Sequence, residues 1–247
     1  YVVVGVPPGV YTVRASYISY QAQVISNVRV SAALTTTQDF ALTPSAIELE
    51  ALEVTAERPL VQRNTTNTVR LTTTEDIENL PIRGLQNIVA LNAGVVQQDG
   101  NLHIRGGRAG EVAYYIDGVN ATNPLNNSEN VTVIQEAIEE IQVQAGGFTA
   151  QFGGAQSGIV NTQVKTGGAR FKATLDYRTD DFAKAGEEFL GTTSSGYRNA
   201  VATRSGPIGS KFRFFVAGQH NYLRNRDAVF IEPFSFGESE GEEFFIT

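Results

Sequence analysis

Cysteine is absent from the chain. That excludes disulfide staples and thiolate metal sites, and it leaves the redox compartment unread. Histidine is nearly absent too. His103 and His220 lie far apart and are poor material for a zinc site, so no metal and no cofactor is expected. Charged residues make up 18% of the chain, against an ordinary share of about 25%. The net charge of −7 argues against nucleic acid as a partner, because neutralising phosphates takes a basic surface. No apolar run approaches the roughly 20 residues of a membrane helix. This excludes helical spans and leaves open a barrel, whose strands leave a weaker trace. An initiator methionine and a signal peptide are also missing. The chain opens on "YVVVGVPPG", a strand end running straight into a turn, and residues upstream are therefore expected to have been removed.

What is present suffices for a core. Hydrophobic residues make up 41% of 247 residues, a length that allows one large domain or two smaller ones. Residues 1–45 read as all-β. After the Pro7-Pro8-Gly9 turn, Tyr11, Val13, Ala15 and Tyr17 alternate with polar residues. A second strand carries Val24, Val28 and Val30, and a third ends in Phe40 and Leu42. Three strands make only part of a sandwich. Residues 46–70 are a polar linker holding one short strand-like patch, Leu52, Val54 and Ala56.

Residues 71–167 mix helix and strand. Thr74 is placed to cap a helix with Glu75 and Asp76 in its first turn. Leu85, Ile88 and Val89 share one helical face, which Asn92 and Gly94 end. "AYYID", "IEEIQVQAG" and "SGIVNTQVKTGG" read as strands. The zone is expected to be a compact α+β unit with Ile104, Ile116, Ile141, Val143 and Ile159 in its core. Residues 168–247 hold 14 of the 23 Tyr and Phe residues taken together. Phe171, Ala173, Leu175 and Tyr177 alternate with Lys172, Thr174, Asp176 and Arg178. Phe212, Phe214, Val216 and Tyr222 share a face. Strands apolar on one side and charged on the other are the trace of a transmembrane barrel, and a soluble antiparallel sheet gives the same alternation. On the barrel reading the aromatic residues face lipid, and Lys172 and Arg178 face inward.

The stretch "LHIRGGRAGEVAYYIDGV", residues 102–119, decides whether chemistry is expected. A dinucleotide loop needs its glycines between a strand and a helix, and here a strand follows. The Gly-Lys-Ser/Thr of a P-loop is missing. Asp117-Gly118 after a β-rich run is a hairpin signal rather than a catalytic acid.

This stretch resembles the plug domain of TonB-dependent outer-membrane receptors, in which Ile-Arg-Gly precedes a strand ending in Ile-Asp-Gly. A second segment agrees with the family in order and spacing: "AIEEIQVQAGGFTAQFGGAQSGIVNTQVKTGG". The two together cover roughly residues 50–167. Upstream, "VPPGVYTVRASYISYQ" resembles the carboxypeptidase-regulatory-like sandwich that precedes the plug in many Bacteroidota receptors. "AGGFTAQFGG" is nearer the Oar-like branch than the SusC-like polysaccharide importers.

The resemblance implies an α+β plug flanked by a partial β-sandwich and by the first strands of an outer-membrane barrel. It implies no enzyme. A whole barrel of about 22 strands needs on the order of 220 residues before any loops, so the chain is expected to be a fragment of a longer receptor. The resemblance places a TonB box at Glu50, Ala51, Leu52, Glu53, Val54, Thr55 and Ala56, to which TonB adds a strand by β-augmentation. Such a segment is expected to be extended and mobile before binding. Arg105 and Arg108 are candidates for pairing with carboxylates of the barrel wall, since guanidinium grips carboxylate in a fixed fork. Asn120, Asn123, Asn126 and Asn127 are candidates to face an unknown ligand. Other implied partners are outer-membrane lipid and, as further candidates, a surface lipoprotein or other envelope proteins. The implied location is the bacterial outer membrane, with the N-terminal part on the periplasmic side.

The competing reading is a cell-surface structural or assembly component built from the same modules without transport. Two weaker signals read as ordinary loop chemistry. These are the sequons at Asn64, Asn120, Asn126 and Asn130, and the acidic run Glu238, Glu240, Glu242 and Glu243.

Overall fold

A computed structural model of the chain describes residues 1–32, 34–44, 52–55, 68–148, 152–182, 188–194, 196–209, 211–224, 230–231, 234–235 and 240–246. These divide into two compact units. One comprises residues 1–73, 89–129 and 139–163, the other 74–88, 130–138 and 164–247.

In the first unit, β1 (Gly9–Ala15) and β2 (Gln23–Val30) pair antiparallel, and β3 (Leu52–Thr55) joins β2 in parallel. Tyr11, Val13 and Ala15 take the more covered side of β1, as the alternation requires, while Ile25 and Val28 of β2 are buried. The register slips between Tyr11 and Val13, and Asn27 opposite adopts a left-handed φ of 63°, the mark of a bulge. The expected strand ending in Phe40 and Leu42 does not form. Side chains take the partners its ladder would need: the Ala41 N–H donates to the Gln23 side-chain oxygen at 3.1 Å, and the Thr36 hydroxyl donates to the Arg29 carbonyl at 2.9 Å. The third strand of this sheet is Leu52–Thr55 instead.

The central sheet uses β4 (Val69–Thr73), β7 (Val112–Ile116), β8 (Val119–Asn120), β9 (Ile138–Gln144) and β10 (Gly158–Val164), in the order β4-β9-β10-β7-β8. Between β4 and β7, β5 (Val95–Gln98) and β6 (Asn101–Ile104) form a separate hairpin. Both hairpins turn on Asp-Gly. Asp99 and Gly100 have φ of 52° and 72°, and Asp117 and Gly118 have 49° and 80°. Two successive left-handed residues make the type I′ turn that matches strand twist.

Ile104, Ile141 and Ile159 are fully buried and Val143 nearly so. Burying each such side chain contributes about 1.5–3 kcal/mol. Ile116 departs from the expectation and is only half-buried, because it is the last residue of β7 before the Asp117-Gly118 turn. β9 and β10 are buried on both faces, so their polar residues are inside as well: Glu140, Gln142, Gln144, Asn161, Thr162 and Gln163. Such groups are tolerated where they bond one another. Gln142 donates to the Glu140 carboxylate at 2.8 Å and Gln163 to the Asn161 side-chain oxygen at 3.3 Å.

In the second unit, α1 (Thr74–Glu78) opens with Glu75 and Asp76 as expected, and the Thr74 hydroxyl donates to the Ile138 carbonyl at 2.9 Å. The next helix, α2 (Leu85–Ala90), passes from this unit into the first. Its Leu85, Ile88 and Val89 are buried, and the Asn92 side-chain amide closes its end on the Val89 carbonyl at 3.0 Å.

The rest of the second unit is sheet. β11 (Lys172–Thr179), β14 (Arg198–Ile208), β15 (Phe212–Arg224) and β18 (Glu240–Ile246) form an antiparallel run in that order. Short hairpins lie between them in sequence: β12 (Glu188–Phe189) with β13 (Thr192–Thr193), and β16 (Phe230–Ile231) with β17 (Phe234–Ser235).

The register sorts the two faces of this sheet. Lys172, Thr174, Asp176 and Arg178 lie opposite Ser205, Thr203, Val201 and Asn199. On this side Val201, Asn199 and Ala217 are buried, and the 3₁₀ turn Gln135–Ala137 packs on β14 and β15. On the other side Phe171, Leu175, Tyr177 and Phe212 are exposed, Leu175 by 77%. Phe214 shares that side but is half-buried, its ring 6.4 Å from that of Phe171. Among the described residues the sheet does not close on itself.

Candidate functional site

The two motifs that carried the resemblance meet in the first unit. After β6 the chain turns sharply at Arg105 and Gly106, with φ of 51° and 74°, and the Gly107 N–H donates to the Ile104 carbonyl at 3.0 Å. Opposite, residues 156–158 arrive from the second motif. The N–H groups of Gln156 and Ser157 both donate to the Glu111 carbonyl at 3.0 Å. The approach is close enough to require glycine on both sides. A Cβ on Gly107 would lie 2.2 Å from the Ser157 Cβ, and one on Gly158 would lie 2.3 Å from the Ile104 Cδ1. Glu111 braces the loop, its carboxylate accepting from the Arg108 N–H at 3.0 Å. The Gly107 carbonyl lies 2.9 Å from the His103 Nδ1.

A cleft of about 380 Å³ opens at this junction, lined among others by Arg105, Glu111, Phe148, Gln156 and Ser157. Arg105 donates from its guanidinium to the Thr68 hydroxyl at 3.0 Å, and Arg108 is exposed. Beyond the cleft, the Tyr115 hydroxyl donates to the Gly153 carbonyl at 2.8 Å, and its ring meets Phe152 edge-on at 5.0 Å.

The asparagine loop is held by its own side chains. Asn120 accepts from the Thr122 N–H at 2.8 Å, Asn123 from the Leu125 N–H at 2.9 Å, and Asn126 from the Ser128 N–H at 3.1 Å. These are Asx turns, in which the side-chain oxygen shapes the loop. Asn127 takes a left-handed φ of 55°, and Leu125 at the tip is 94% exposed. The loop is tied to β7 through Thr122, whose hydroxyl accepts the Tyr114 N–H at 2.9 Å.

Burial, and secondarily the Glu129 carboxylate, push the Tyr114 phenol up to about 12 from its ordinary 10.0. Unfolding therefore releases a proton between these values, so stability is unaffected below pH 10 and falls as pH rises from 10 towards 12. Urea unfolding across that range should show this loss, and Tyr114→Phe should remove it.

Of the segment at residues 50–56, Leu52–Thr55 is the strand β3, with Val54 39% exposed. Glu50, Ala51 and Ala56 lie outside the described residues, as do Asn64 and Glu238. In the second unit a group appears that the sequence reading missed. Arg83 bonds Glu136, the Gly84 N–H donates to the Gln135 side chain at 3.1 Å, and both pairs join residues about fifty apart. The Arg178–Asp176 pair of β11, at 2.9 Å, lies within electrostatic reach of them. Periodicity marks none of Arg83, Gly84, Gln135 and Glu136, because the first two lie outside regular elements and the last two in a single 3₁₀ turn.

Residues 61–160 match the family model described as TonB-dependent Receptor Plug Domain. The chain is 20% identical over 179 residues to the TonB-dependent transporter Oar of Myxococcus xanthus, a match covering 68% of this chain and 17% of that protein. It is similar in fold to the outer membrane transporter YddB from Escherichia coli, with a TM-score of 0.55, 15% identity, and coverage of 71% of this chain and 29% of that one. It is likewise similar to the pyoverdine outer membrane receptor FpvA from Pseudomonas aeruginosa, with a TM-score of 0.52, 15% identity, and coverage of 66% and 24%. The chain thus spans less than a third of the length of each.

Proposed function

We propose, from the match of residues 61–160 to the TonB-dependent receptor plug domain, that the chain is the plug-bearing part of a larger outer-membrane receptor that gates energised uptake of a still unidentified ligand. The observation that carries this reading is the two-faced sheet of the second unit. One side bears exposed Phe171, Leu175, Tyr177 and Phe212, and the other bears polar residues and is covered by the turn at 135–137. A soluble sheet would turn its aromatic side to the core; a barrel strand turns it to lipid. The short coverage of each relative and the open sheet both agree with a longer protein.

The function on this reading is gating rather than bond chemistry. The energising partner is TonB, recruited by strand addition at Glu50–Ala56 with the N-terminal sheet on the periplasmic side. The sheet at residues 1–45 is the remnant of a carboxypeptidase-regulatory-like sandwich. Arg105 and Arg108 are the residues proposed to meet carboxylates of the barrel wall. Asn120, Asn123, Asn126 and Asn127 shape the loop proposed to meet ligand. Leu125, which the loop geometry leaves projecting, joins them.

The lipid-facing assignment has a direct test. Leu175→Arg in the full-length receptor puts a charge into hydrocarbon at a cost of about 2–4 kcal/mol near the midplane. It should sharply reduce the membrane-inserted, heat-modifiable fraction. Thr174→Arg, on the opposite face, should insert normally. Equal insertion of the two would remove the barrel reading.

A further inference from the structure

Of the segment read as the TonB box, Leu52–Thr55 is a docked strand. Leu52, Glu53, Val54 and Thr55 pair in parallel with Gln23, Val24, Ile25 and Ser26, and the Ser26 hydroxyl donates to that of Thr55 at 3.4 Å. In the order β1-β2-β3 this strand is last, so β2 covers one edge and the other is open among the described residues.

The strand that holds it is itself held by the plug. Two residues beyond the end of β2, the Ala32 N–H donates to the Glu140 carboxylate at 2.9 Å. The Ala32 carbonyl accepts from the Gln142 side-chain amide at 2.6 Å. Both side chains belong to β9 of the central sheet and are buried, and Gln142 also bonds Glu140. Arg29 of β2 adds an ion pair with Glu139 at 4.0 Å. A buried carboxylate gripping a backbone amide is a charge-assisted bond that is costly to leave unmade.

We propose that the N-terminal sheet presents Leu52–Thr55 to the energising partner while still docked, and that pull on this strand enters the plug through β2 and the Glu140–Gln142 grip on Ala32. The inference rests on the TonB-box reading. A partner strand added at the open edge lies alongside β3 and pulls along it, loading the bonds to β2 together rather than one after another. The covalent route through residues 56–68 then carries load only after this clasp has parted. The opposite arrangement, in which the sheet hides the segment until it is released, predicts the reverse of the first result below.

The chain has no cysteine, so a pair can be introduced cleanly. In the full-length receptor, Ser26→Cys with Thr55→Cys locks β3 to β2 on oxidation, and the probe is the purified periplasmic domain of TonB. Binding should be the same in the oxidised and reduced forms. Loss on oxidation with recovery on reduction would overturn presentation in the docked state. Failure of the reduced receptor to bind at all would instead remove the TonB-box reading, and this inference with it.

Force spectroscopy with the same TonB domain as handle tests the load path. Ala32→Pro, which deletes the donor to Glu140, should lose the first high-force event while TonB binding persists. Ala32→Gly, which keeps the amide, should retain it. An unchanged force trace with Ala32→Pro would place the load on residues 56–68.

Discussion

Replacing Val54 with proline is expected to abolish recruitment of the TonB periplasmic domain and with it all energised uptake. In a four-residue strand, successive N–H groups point to opposite edges, so each edge has only two donors. If the Val54 N–H faces outward, proline removes half the donors offered to an incoming strand. If it faces β2, proline undocks the strand from Ile25, its partner in register. In either case the ladder cannot continue. Loss of one such bond is worth about 0.5–1.5 kcal/mol, about two- to tenfold in affinity, and the ring's misfit in the ladder adds to that. Val54→Thr keeps the backbone donor and β preference and should bind as the parent does. Binding of the purified TonB domain to receptor in outer-membrane preparations separates the two. Parental binding by the proline variant would reduce the segment to a linker.

Gly107→Ala is expected to be the most damaging small change in the plug. The added carbon would sit 2.2 Å from the Ser157 Cβ, and the second contact, at 2.7 Å, is the Ser157 hydroxyl. Neither is the far end of a flexible chain, so the loop at 104–108 and the strand entry at 156–158 must move apart. Overpacking of this kind costs about 1–3 kcal/mol, and here the upper end is expected because both sides are backbone-tethered. Ser157→Gly removes the obstructing carbon. The double variant Gly107→Ala with Ser157→Gly should therefore recover most of the lost stability in urea unfolding and protection from protease. A double variant no better than the single one would mean that Gly107 is needed for its backbone rather than for the close approach.

What the sequence made legible follows from how local each signal is. The Asp117-Gly118 hairpin was readable because both residues favour positive φ, and the turn closes Ile116 on Val119. The faces of β11 were readable because apolar and polar residues alternate without interruption, and the outward face of β15 because Phe212, Phe214, Val216 and Tyr222 keep a period of two. The helix carrying Leu85, Ile88 and Val89 was readable from its spacing. Ile116 was misread because membership of an apolar strand says nothing about distance from its end. The expected strand at Phe40 and Leu42 failed because alternation does not report that Gln23 and Thr36 side chains compete for the backbone bonds. The buried polar residues of β9 and β10 were illegible for a different reason. Glu140 and Gln142 also bond the Ala32 backbone more than a hundred residues away, and no short window of sequence contains both ends. The Arg83–Glu136 pair was hidden in the same way.

The strand order of the central sheet also sets the order in which the polypeptide can fold. β9 and β10 occupy its middle, yet they come after every other strand of that sheet in the chain. β4 must wait for residues 140–144 of β9, and β7, though paired locally with β8, must wait for residues 158–162 to join the rest of the sheet. Until then β7 has only the two-residue strand β8 beside it, and closing such long loops is slow. Until residues 138–164 are in place, the apolar strand at 112–116 therefore lacks its central partner and is prone to aggregate.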